Sequence, residues 1–129
     1  MYYYFYNDST GEIVTQGKGT EPVIAEGEWV GFSYLSTETK YSLNHKVNLE
    51  TLEITLDQDK ADNDAAFFVR HKRDGILTAV VDPMVTNPLR WNALTDAKQA
   101  EWTQYRTDLL NIPDQSGFPN TVTWPTAPT

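Results

Sequence analysis

Glu101-Trp102-Thr103-Gln104-Tyr105-Arg106, with Gly117-Phe118-Pro119-Asn120-Thr121-Val122-Thr123-Trp124-Pro125 behind it, is the stretch that decides how the C-terminal half folds. Trp102, Tyr105, Leu109 and Ile112 recur at steps of three, four and three, which draws one apolar stripe along a helix. Thr95 offers an N-cap oxygen, and Asp96 puts a negative charge in the first turn, where the helix dipole favours it. Pro113 stops the helix near Asn111, because proline has no N–H and disfavours α geometry in the residue before it. Beyond it, Phe118 and Trp124 lie among prolines in an extended tail. Two such rings are costly to leave in water, so the tail is expected to dock, on this chain or on a partner.

Working outward, a second helix is predicted over residues 64–81. Ala65, Phe68, Val69, Lys72, Ile76, Ala79 and Val80 fall on one face, with the Lys72 stem lying along it. Arg70 and Asp74, four apart, are placed to pair. Gly75 costs about 1 kcal/mol relative to alanine and suits a close approach of the other helix. Asp82-Pro83 ends this helix. Residues 82–94 read as a loop rich in apolar side chains (Met84, Val85, Leu89, Trp91), so the two helices should form an antiparallel hairpin.

The first sixty residues have a different period. Tyr2–Tyr6 is aromatic throughout, Asn7–Gly11 is turn chemistry, and Glu12–Gln16 resumes as a strand, giving a β-hairpin. Glu28–Leu35 is a further strand region, in which Gly31 marks a bulge or a close backbone approach. Val47 and Leu49 on one side, and Leu52, Ile54 and Leu56 on the other, give another hairpin with one buried face. The expected fold is therefore α+β: a small N-terminal antiparallel sheet over residues 1–60, then residues 61–129 as a helical hairpin with an extended Pro/aromatic tail.

Asp57-Gln58-Asp59-Lys60-Ala61-Asp62-Asn63-Asp64 joins the two. It has the first alternate carboxylates of a calcium loop. Ala61 then falls where a ligand belongs, Asp62 where glycine belongs, and Phe68 where the bidentate glutamate belongs. A solvated linker with Asp62 or Asn63 capping the next helix is the preferred account.

Arg73-Asp74-Gly75-Ile76-Leu77, Asp82, Leu94-Thr95, Trp102-Thr103-Gln104-Tyr105-Arg106, Leu109, Ile112-Pro113 and the closing Gly117-Phe118-Pro119…Val122-Thr123-Trp124-Pro125 resemble, in order and spacing, the C-terminal domain of the tail assembly chaperones of tailed phages. Tail-fibre assembly proteins end in a similar W-x-x-Y-R…W-P signature. The resemblance covers roughly half of the chain. It implies a chaperone that binds a fibre protein, a trimeric fibre in the first instance, and promotes its folding, trimerisation or attachment. It also implies a site of action in the host cytoplasm, with retention in the virion tail as an open outcome. A structural component of the fibre tip or baseplate, in contact with the host, is the alternative.

Composition agrees with a binding protein. A formal charge of −8 repels a nucleic-acid backbone. The charge is uneven: residues 1–60 hold ten acidic and four basic side chains, and the remainder eight and six. There is no cysteine, which removes thiol chemistry and thiolate metal sites. No apolar run approaches the roughly 20 residues of a membrane span, and Met1-Tyr2-Tyr3 lacks the basic region of a secretion signal. Neither histidine, His45 nor His71, sits in a recognisable catalytic pattern, and His71 is placed for an ion pair with Asp74. No carboxylate pair is selected by spacing, so no enzymatic activity, cofactor or metal is expected. Aromatic residues, at 12% with four tryptophans, are the better guide, because Trp, Tyr and Arg dominate interface energetics. Trp102, Tyr105, Arg106, Phe118 and Trp124 are the candidate partner-binding residues. For Trp102, Tyr105 and Trp124, internal packing of tail on helix is the competing account. For Arg106 it is an intrachain pair with Asp74 or Asp82.

Overall fold

The computed structural model describes residues 1–129. The chain divides into two compact units, Met1–Ala61 and Asp62–Thr129, and its fold is α+β.

In the first unit, β1 (Tyr2–Asn7) pairs antiparallel with β2 (Ile13–Lys18) on one side and β3 (Phe32–Thr37) on the other. β4 (His45–Val47) and β5 (Ile54–Leu56) form a separate hairpin. The alternation of β1 explains its solid aromatic run. Tyr4 and Tyr6 pack with Ile13 and Val47 as a core, onto which Tyr2, Leu35, Tyr41 and Ile54 close. The Tyr4 hydroxyl accepts the Tyr41 N–H at 2.6 Å. Tyr3 and Phe5 point the other way, where their rings meet Tyr34, and Phe5 also meets Trp29. The Tyr34 hydroxyl donates to the Glu21 carboxylate at 2.7 Å. That hydrogen bond, with lesser help from desolvation and from the negative charge, holds the phenol above its usual range.

The first turn depends on one glycine. Gly11 has φ +74°, and a Cβ there would overlap the Val47 carbonyl oxygen. Two expectations need correction in this unit. The third strand begins at Phe32 rather than Glu28, because Glu28–Gly31 is a turn with Gly31 at φ +81°. The β4–β5 hairpin buries only Val47 fully; Leu49, Leu52 and Leu56 are exposed, since strands of three residues offer little shared face.

In the second unit, a long helical path replaces the expected helix and loop. α1 runs Gln58–Ile76, starting six residues before Asp64, and its cap is Asp57, whose carboxylate accepts the Lys60 N–H at 3.3 Å. Neither Asp62 nor Asn63 caps it, because both lie inside the helix. Pro83 does not stop the path either. A π turn, Leu77–Val81, intervenes, with the Asp82 N–H bonded to the Leu77 carbonyl. Its wider ring takes up the missing proline donor, and α2 (Asp82–Val85) continues with Pro83 in its first turn. Residues 82–94 are thus not a loop: α3 (Pro88–Asn92) follows, capped by the Asn87 side chain, which accepts from the Leu89 and Arg90 N–H groups. α4 is Asp96–Leu110, with Thr95 accepting from the Lys98 N–H at 3.2 Å, and a 3-10 turn at Ile112–Asp114 follows.

The stripe of α4 is the centre of this unit. Trp102, Tyr105, Leu109 and Ile112 form one core with Val81, and Val69, Ile76, Leu77, Met84 and Val85 pack on it. α4 meets the first helical path at the π turn. Gly75 is not the point of approach, since a Cβ there would meet open space.

Candidate functional site

The tail is docked. Phe118, Val122, Trp124 and Ala127 all pack against the α4 core. Two devices hold the backbone. Gln115 brackets Thr123 like a neighbouring strand: its side-chain amide donates to the Thr123 carbonyl at 2.8 Å, and its side-chain oxygen accepts the Thr123 N–H at 2.8 Å. The Thr121 N–H bonds the Gly117 carbonyl at 2.8 Å. That turn needs glycine at 117, because a Cβ would lie 2.7 Å from the Thr121 carbonyl oxygen. The Phe118–Pro119 peptide is cis. Asn120 reaches the Asp62 carboxylate at 3.0 Å.

Phe118 and Trp124 are half-buried, and each carries a cation over its ring. The Arg70 guanidinium lies 5.2 Å from the Phe118 centroid, and the Lys72 ammonium 4.4 Å from that of Trp124. This is why the expected Arg70–Asp74 pair does not form. Asp74 instead takes Arg73, at 2.8 Å to both Nε and a terminal nitrogen. His71 does not pair with Asp74 either; its ring stacks on Phe67 at 6.0 Å.

The five candidate partner-binding residues therefore separate. Trp102 and Tyr105 are 8% and 7% exposed and stack edge-on at 6.0 Å, so their area is spent inside the unit. Phe118 and Trp124 show only their outer parts. The Arg106 side chain is exposed and forms no ion pair; it bonds neither Asp74 nor Asp82.

Sequence reasoning missed Phe67 and placed Phe68 on the buried face. They are 64% and 68% exposed, side by side at 5.7 Å, while Ala66 and Val69 turn inward. A signal was present: adjacent helical residues point about 100° apart, so two consecutive phenylalanines cannot share one narrow buried stripe. The Asp57–Asp64 run is helical after its cap. No group of three or more His, Asp or Glu is placed to hold a metal, and no helix is long and apolar enough to cross a membrane.

Residues 66–129 match the family described as phage tail assembly chaperone protein. The matched span holds the α4 stripe, Arg106 and the docked tail together. The chain belongs to the phage tail assembly chaperone family through its C-terminal half. The role of such a chaperone is in tail assembly, with a tail protein as partner. The first unit of this tail assembly chaperone lies outside the matched residues. No curated protein and no solved structure matches the chain.

Proposed function

We propose that this chaperone binds a tail-fibre protein in the host cytoplasm and promotes its folding, trimerisation or attachment. The family match over residues 66–129 carries the proposal. Two surface features support it. Arg106 is a planar, exposed cation with no partner, suited to carboxylates or carbonyls in a fixed fork. Phe67 and Phe68 are large rings left in water on a helix whose other side is packed, as expected of an interaction site. Trp102 and Tyr105 act one step back, holding the helix that presents Arg106.

Co-expression with the fibre protein tests this. The wild-type chaperone should raise the yield of soluble fibre trimer. Arg106→Ala, and separately Phe67→Ser with Phe68→Ser, should lower that yield while leaving the chaperone's own melting temperature nearly unchanged. A trimer yield indifferent to the presence of the wild-type chain refutes the proposal.

A further inference from the structure

The strands of the first unit form one series with two free ends. One sheet runs β2-β1-β3 and the other is β4-β5. The start of β2 is tied to β4 by the Glu12–Lys46 bridge and by the Val47 N–H, which donates to the Gly11 carbonyl at 2.8 Å. The strands therefore follow one another as β3-β1-β2-β4-β5, and the two outer members, β3 and β5, have no strand beyond them. Both border a single groove of about 410 Å³, with Leu35 and Ser36 on one wall, Glu53, Ile54 and Thr55 on the other, and Tyr41 between them.

The register shows what each wall presents. The Asp8 N–H bonds the Gly31 carbonyl at 2.9 Å, and Tyr6, Tyr4 and Tyr2 stand opposite Ser33, Leu35 and Thr37. Antiparallel pairing alternates, so these three turn their main-chain groups to β1, and Tyr34 and Ser36 turn theirs outward. On the other wall, the Asn48 N–H bonds the Glu53 carbonyl at 2.8 Å and the Asp57 N–H bonds the Asn44 carbonyl at 2.9 Å. Glu53, Thr55 and Asp57 thus face β4, and Ile54 and Leu56 face outward. Between the walls, Leu35, Tyr41 and Ile54 rest on the Tyr4, Tyr6, Ile13 and Val47 core. Hydrogen-bonding groups on both sides and an apolar floor are what an extended strand requires. Exposed edges are normally blunted with lysine or proline; Phe32–Thr37 and Ile54–Leu56 contain neither.

We propose that this groove receives an extended segment of the tail protein that the chaperone handles, inserted as a sixth strand between β3 and β5. The proposal rests on the chaperone function above and gives the first unit a part in it. Neither Met1 nor the tail lines the groove: the Met1 nitrogen lies 3.5 Å from the Glu38 carboxylate, and the tail rings pack in the core of the second unit. A second copy would bring another unit with the same excess of acidic groups, ten against four basic. Glu53 is the one charged residue lining the groove. The inserted segment is therefore neutral or basic, with β-branched or aromatic residues alternating onto the floor and lysine or arginine available to Glu53.

Amide hydrogen exchange on the full chain, alone and with the fibre protein, tests this. Alone, the Ser36 and Ile54 amides should exchange as unbonded groups; in the complex both should slow at least tenfold. Ser36→Pro removes the outward donor and should weaken binding at least tenfold, whereas Ser36→Ala keeps the N–H and should bind as the wild type does. Exchange on the wild type decides the matter even if the proline variant fails to fold. A complex that forms with these amides unprotected overturns the groove and leaves the chaperone function standing. Protection that appears with rising concentration of the chain alone shows a second copy as the occupant and overturns the proposal. Absence of any complex with the fibre protein removes both.

Discussion

Trp124→Ala should destabilise the second unit by about 3 kcal/mol. A tryptophan buries about 150–250 Å² when fully enclosed, worth about 4–6 kcal/mol at ~25 cal/mol/Å². Trp124 is only partly enclosed, and Phe118, Val122 and Ala127 still pack on the core without it, so the low end of the range observed for Trp→Ala is expected. The Lys72 ammonium, 4.4 Å from the ring centroid, contributes about 0.5–1 kcal/mol of this at an exposed site. Urea unfolding followed by far-ultraviolet circular dichroism reads the loss without depending on the deleted fluorophore. Lys72→Met keeps the stem and removes the charge. It should cost about 0.5–1 kcal/mol in the wild type and nothing beside Trp124→Ala, a coupling that a double-mutant cycle isolates. A loss below about 1 kcal/mol for Trp124→Ala would mean that the ring is not docked in solution. Equal costs of Lys72→Met in both backgrounds would mean that its charge acts on something other than the ring.

Gln115→Ala removes both bonds to Thr123 and should cost about 1–2 kcal/mol, with faster exchange of the Thr123 amide; an unchanged rate would contradict the bracket. Gly11→Ala combines a left-handed φ with overlap at the Val47 carbonyl, and should unfold the first unit well below the wild-type melting temperature while the helical signal persists. The Tyr34 phenol, raised by its bond to Glu21, should titrate above free tyrosine in tyrosinate absorbance, and Glu21→Gln should bring it back. Because the folded-state value is the higher one, the associated stability is present below the ordinary tyrosine range and is lost as pH rises through the raised value.

The α4 stripe could be read from the sequence because its period, its Thr95 cap and its Pro113 stop agree, and each acts within a few residues. The β1–β2 hairpin could be read for the same reason, from Asn7–Gly11. The start of α1 could not be found by period: residues 58–64 are polar apart from Ala61, and the helix there rests on the Asp57 cap rather than on an apolar face. Residues 82–94 were obscured by proline, a reliable stop in an α ladder but compatible with a π turn before it. The exposure of Arg106 could be read because it lies off the stripe. The packing of Trp102 and Tyr105 inside the unit rather than on a partner depends on where the tail and the π turn fall, and neither is local. The groove of the first unit needs the meeting of β3 and β5, which no stretch of sequence encodes alone.

The π turn at Leu77–Val81 also sets a phase. A π turn holds one residue more than the α-helical turn it replaces, so every side chain after it is rotated by about 100° relative to an uninterrupted helix. Before the turn, Val69 and Ile76 reach the core; at its last residue Val81 does so, and after it Met84 and Val85. The two sets belong to different faces of an ideal helix and are brought onto one side only by the added residue. Deleting one of Leu77–Val81 would shorten the chain by little and leave its composition almost unchanged. It would nonetheless carry Val81 and its successors away from Leu109 and press Pro83 against a plain α ladder. The position of the core in this half of the molecule thus depends on a count of residues as much as on their kind.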